Sequence, residues 1–159
     1  MTAARALTPS RPQIRLRLEE EFAGPALLED LHSGWFTVHG ERLHLGDPVD
    51  WLANPSADIE WQIVLHKFHH APALVQHWRD TCEARHVELL ARHVEGWIAS
   101  VTPGFIAADV TGRRIRNWVY ALALLDGDFP SLAQAMDESL REQVSWLREN
   151  LHAKRNHRT

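Results

Sequence analysis

Apolar positions change their spacing about a third of the way along the chain. Before Ser56 they come in short alternations, and after it they recur at threes and fours. Residues 1–13 have no period and read as a loose leader of Ala, Thr, Ser, Pro and Arg. Residues 14–18 alternate apolar and basic, as a short strand or a lead-in segment would. Pro25 precedes a short helix over 26–31. Residues 35–38 and 42–45 flank Gly40 and predict a small hairpin. Gly46-Asp47-Pro48 and Asn54-Pro55-Ser56 are loops on either side of Asp50-Trp51.

Beyond Ser56 the period is helical. Trp61, Val64, Leu65 and Phe68 share a face up to Pro72, which reads as a break. A second helix is predicted over 83–100, with Val87, Leu90, Ala91, Val94, Trp97, Ile98 and Val101 on its stripe. A third runs over 111–125 on Ile115, Trp118, Val119, Leu122 and Leu125. Ser131 is the expected N-cap of a fourth over 132–151, faced by Leu132, Met136, Leu140, Val144, Leu147 and Leu151. The expected fold is mainly α, built of antiparallel helix hairpins behind a small β element. Its segments are a leader (1–13), an N-terminal part (14–55) and a helical part (56–159).

Composition narrows the function. A chain of 159 residues is one domain's worth, and 45% hydrophobic with 24% charged residues is ordinary for a globular fold. Seventeen basic against 21 acidic residues give a net charge of −4, too little positive field to make nucleic acid the expected partner. Cys82 stands alone, which excludes an intramolecular disulfide and a Cys-rich zinc site. No apolar run approaches the ~20 residues of a membrane span. Arg5, Arg11 and Arg15 are followed by no apolar core, so no secretory signal is read. The chain as written is expected in the cytoplasm, or in the periplasm or outside the cell if a segment precedes it. Seven Trp and 11 His beside a single Tyr suit either a helical core or a sugar-binding surface.

Four groups are candidates for chemistry. His66 and His70 are four apart, the spacing of a metal-chelating helix face. Lys67, however, stands where a zinc protease has Glu, and no third ligand is evident, so no metal or cofactor is assigned. Arg113, Arg114 and Arg116 precede Asn117-Trp118; this is an anionic-sugar surface or a solvated charged turn beside a core Trp. Tyr120 reads as core packing within an apolar stretch. Asn156-His157, between Arg155 and Arg158, reads alone as a frayed basic tail.

Taken together, four segments resemble one family. Asp50-Trp51 followed by Glu60-Trp61 through Leu65-His66-Lys67-Phe68 resembles the "DW … LW-x-x-x-LH-x-F" start of the toroid in heparinase II/III-like polysaccharide lyases. Arg114-Ile115-Arg116-Asn117-Trp118 is similar to that family's "R-I-x-NW" helix. Trp146 to Leu151, then Asn156-His157, is similar to its "L-x-x-NL … NH" segment. The resemblance covers about residues 35–158. It implies a partial (α/α) toroid that binds an acidic polysaccharide and takes part in β-elimination on uronic acids. Removing the proton α to a carboxylate requires that the carboxylate charge be neutralised first. By resemblance that task falls to Asn156, with His157 beside it, and His66, Arg114, Asn117 and Trp118 line the substrate cleft. The family's catalytic Tyr has no counterpart after Asn156, so the module is expected to be inactive alone. Its uncovered edge should be apolar and take a C-terminal half or another protein. The alternative is a helical protein-interaction module without carbohydrate chemistry.

Overall fold

The computed structural model describes residue 18 and residues 20–156. The strand expected over 14–18 lies outside them apart from Leu18. The described chain is mainly helical with one small sheet: α1 (Glu20–Ala23), α2 (Pro25–Leu31), β1 (Trp35–Val38), β2 (Glu41–His44), α3 (Ile59–His66), α4 (His70–Thr81), α5 (Arg85–Ser100), α6 (Ala108–Leu125) and α7 (Pro130–Asn156). Among the described residues no helix is long and apolar enough to cross a membrane.

The hairpin forms as its alternation predicts, with Trp35 opposite His44 and Val38 opposite Glu41. Phe36 and Val38 face the core, and their neighbours face outward. Gly34 closes the base of the hairpin at φ 79, where an added Cβ would lie 2.5 Å from the Gly46 carbonyl oxygen. Only a residue without a side chain fits there.

Asp58 caps α3 by accepting a hydrogen bond from the Glu60 backbone N–H at 3.0 Å. The helix does not run on to Pro72. It ends at His66, and Phe68 turns the chain with φ 57. A left-handed phenylalanine costs backbone energy. Packing offsets that cost: its ring is fully buried and stacks on Trp51 at 5.0 Å, with Trp118 edge-on at 5.4 Å. The helix that follows, α4, corrects the expected break. Pro72 sits in its first turn, where a missing N–H breaks no intrahelical bond.

Three residues join α4 to α5 and four join α6 to α7, and each pair packs side by side as a helix hairpin. Val87, Leu90, Val94 and Trp97 form the buried stripe of α5 as predicted, while Ile98 is exposed. Helix α7 begins at Pro130 rather than after a Ser131 cap, using proline's preset φ. Leu132, Met136 and Leu140 are buried, but Val144 and Leu151 are exposed, as is Val119 on α6. Among the described residues, the second half of the α7 stripe is therefore only partly covered, with Leu147 half-buried. Val119, Leu122, Leu140 and Val144 instead line a groove of about 650 Å³.

Candidate functional site

The turn at Phe68 leaves the last carbonyls of α3 without helical partners, and α6 supplies them. Arg114 donates from Nη1 to the His66 carbonyl at 3.0 Å, and Asn117 donates from Nδ2 to the Lys67 carbonyl at 2.8 Å. The rest of the Arg114 guanidinium is also engaged. Nε donates to Gln143 Oε1 at 2.8 Å and Nη2 to the Pro103 carbonyl at 2.9 Å. Its Cζ lies 4.2 Å from the centre of the Trp97 ring. These acceptors are neutral, so burial dominates and pulls the guanidinium pKa down to about 9.

His66 is held just as completely. Its Nε2–H donates to the Trp51 carbonyl at 2.8 Å, and its Nδ1 accepts from the Trp97 indole N–H at 3.1 Å. Burial dominates and keeps it neutral with a pKa of about 4; the opposing pull of the Trp51 carbonyl ranks second, and the Arg114 charge adds a smaller downward push. Both ring nitrogens are occupied, so His66 has no lone pair left for a metal. His70 begins the next helix and pairs with His93 at 3.3 Å.

The structure thus brings His66, Arg114, Asn117 and Trp118 together, but in the core. None of the four is more than 3% exposed. This corrects the expectation that all four line a cleft: His66, Arg114 and Trp118 are closed off in the core, where the Trp118 ring packs on Phe68 and Trp97, and of the four only Asn117 reaches a pocket. His157 lies outside the described residues, as does the side chain of Asn156, whose backbone ends α7.

Asn117 also reaches outward. With Phe22, His69, Arg116 and Tyr120 it lines a pocket of about 210 Å³. His69 stacks flat on Phe22, with ring centres 4.3 Å apart, and its Nδ1 lies 3.4 Å from Asn117 Nδ2. The Nε of Arg116 is buried without a hydrogen-bond partner. Arg113, Arg116 and Tyr120 follow one another at three and four residues, so they share the outer face of α6. Tyr120 is 40% exposed, which corrects its reading as core. That spacing was the available signal for this pocket. The apolar run around Tyr120 hid it.

A guanidinium, an amide and a phenol around one small space suit a carboxylate flanked by hydroxyls. Among the described residues the lining contains no carboxylate that would repel an anion. No family model, curated protein or solved structure matches this chain.

Proposed function

We propose that the chain is the N-terminal helical module of a polysaccharide-lyase-like protein. In this reading its helix hairpins form part of an (α/α) toroid, and its pocket at Arg116, Asn117 and Tyr120 holds a uronate carboxylate. The observation that carries the reading is the buried, unpartnered Nε of Arg116 at the wall of that pocket. A carboxylate accepting from Nε and Nη side by side would complete it. A second observation supports the family resemblance. Its segments around residues 50, 66, 114 and 146–151 lie far apart in sequence, yet hydrogen bonds from His66 and Arg114 tie the first three to one another and to Gln143, three residues before the fourth.

The chemistry follows from the substrate. In β-elimination a base removes the proton α to the carboxylate, the C–O bond on the next carbon breaks, and the leaving oxygen takes a proton. Binding the carboxylate to cationic or amide donors lowers the cost of the carbanion. Asn156 and His157 carry that role by resemblance. The Arg116 pocket would hold a uronate of the same polymer elsewhere along its length, supplying binding energy rather than chemistry.

Calorimetric titration tests this reading. Oligouronates should bind, and neutral oligosaccharides of equal length should not. Arg116→Gln should weaken uronate binding by about ten- to a hundred-fold, the loss of one charge-assisted hydrogen bond. Equal affinity for neutral and acidic oligomers, or an unchanged R116Q, would overturn it.

A second reading, a protein-interaction module without sugar chemistry, rests on the groove between α6 and α7. Its apolar floor has Asp137, Arg141, Arg148 and Glu149 along the rim. Both charge signs flanking an apolar stripe suit an amphipathic helix of a partner. Under this reading Val144→Glu abolishes partner binding and R116Q does not affect it.

A further inference from the structure

We propose that Glu29, His77 and His86 form a binding site for a divalent transition-metal ion of the zinc type. One ligand atom from each lies within 4.8 Å of the other two. The three come from α2, α4 and α5, so the ion would tie α2 to the α4–α5 hairpin. Neither the lyase reading nor the pocket at Arg116 uses these residues.

The strongest observation is at His86. Its side chain is fully buried, and its Nε2 has no hydrogen-bond partner. Its other nitrogen, Nδ1, lies 3.0 Å from Nε2 of His32. Two proton arrangements satisfy that contact. If His32 donates, His86 must carry its own proton on Nε2, a buried N–H with no acceptor; the Glu83 carboxylate is 3.8 Å away, beyond hydrogen-bond reach. If His86 donates from Nδ1, its Nε2 holds a bare lone pair, which costs less to leave unpaired than a donor does. The second arrangement is also the one a metal ligand needs. The ring N–H opposite the ion is held by a neighbour, which fixes the tautomer.

The remaining donors are near and adjustable. The His77 ring centre lies 4.3 Å from that of His86. Glu29 is half exposed and is bound by Arg85 through both carboxylate oxygens. Zinc–nitrogen and zinc–oxygen bonds of ~2.1 Å at the tetrahedral angle set two ligand atoms ~3.4 Å apart. Glu29 and half-buried His77 would therefore close in by up to about 1.4 Å while His86 stays fixed. Arg85 also binds Glu83, so two carboxylates face one guanidinium around the site, and the local charge does not repel a cation. Two imidazoles and a carboxylate favour zinc, cobalt or nickel over calcium or magnesium.

Untagged, chelator-treated protein titrated with Co²⁺ tests the site through the visible ligand-field bands of the bound ion. One equivalent should saturate the bands, and Zn²⁺ should displace them. His77→Ala should weaken binding at least ten-fold, Glu29→Gln should weaken it too, and His39→Ala, an exposed control elsewhere, should leave it unchanged. Circular dichroism checks that each variant folds; should His77→Ala not fold, Glu29→Gln, at a half-exposed position, carries the comparison. Absence of a saturable band at one equivalent overturns the proposal. So does a band that survives in folded H77A or E29Q.

Discussion

Trp97 donates its indole N–H to Nδ1 of His66, and this single contact decides which proton the histidine carries. With Nδ1 taken as an acceptor, Nε2 must be protonated, and it donates to the Trp51 carbonyl. His66 is thereby a neutral bridge between the loop before α3 and the body of α5. Protonating it places a second hydrogen on a nitrogen that already faces an N–H.

Acid should therefore unfold the protein in a defined window. Burial depresses His66 to about 4 and His70 to about 3, and depresses His93 as well. The unfolded chain takes up these protons near pH 6.5, the folded chain much lower. Stability is then fully present above pH 6.5 and is lost as the pH falls toward 4. His66 alone contributes ~3 kcal/mol across that window. Urea unfolding at pH 7.5, 6.0 and 5.0 measures the slope. Salt-bridged Glu29, Asp30 and Glu83 have lowered pKa values and act only in stronger acid. A flat stability between pH 7.5 and 5.0 would rule out the buried neutral histidines.

Arg114 is the most costly residue to change. Arg114→Met should destabilise by about 3–5 kcal/mol, because the His66 and Pro103 carbonyls and Gln143 Oε1 lose their donor inside the core. Arg114→Lys keeps a charge but not the planar fork or the stack on Trp97, so it should recover only part of that loss. Chemical denaturation reads both. A lysine variant as stable as the parent would mean that the fork geometry is unimportant.

Elimination on a uronate creates a double bond conjugated to the carboxylate, which absorbs in the ultraviolet. The purified chain with a panel of acidic polysaccharides should give no rise in that absorbance. The one tyrosine, Tyr120, lies in a pocket that has no carboxylate base among its described residues. A steady rise would show that the chain holds its own acid and base, and that the binding-module account is wrong.

Much of the fold was legible where one face of a long helix is buried. Val87, Leu90, Val94 and Trp97 repeat over a 16-residue helix, and the period marks it. Helix α4 was hidden because Pro72 signals a break in a linear reading. Only its place in the first turn makes it harmless. The corner at Phe68 left no local trace, since nothing in an aromatic side chain announces a positive φ. The same holds for the partner of Arg114. His66 is 48 residues away, and local spacing carries no information about which carbonyl a guanidinium will meet. Residue types thus marked the right helices, but only packing sorted the three arginines. Arg114 turns into the core, Arg113 is exposed, and Arg116 stands half-buried at the pocket.

The binding claim is tested most directly by an oligouronate titration followed by nuclear magnetic resonance, observing the Arg116 Nε–H and the Asn117 side-chain amide. The account predicts saturable shifts at these groups and at Tyr120, absent with a neutral oligosaccharide of the same length. No saturable shift at the pocket, or shifts confined to the Val119–Val144 groove, would contradict it.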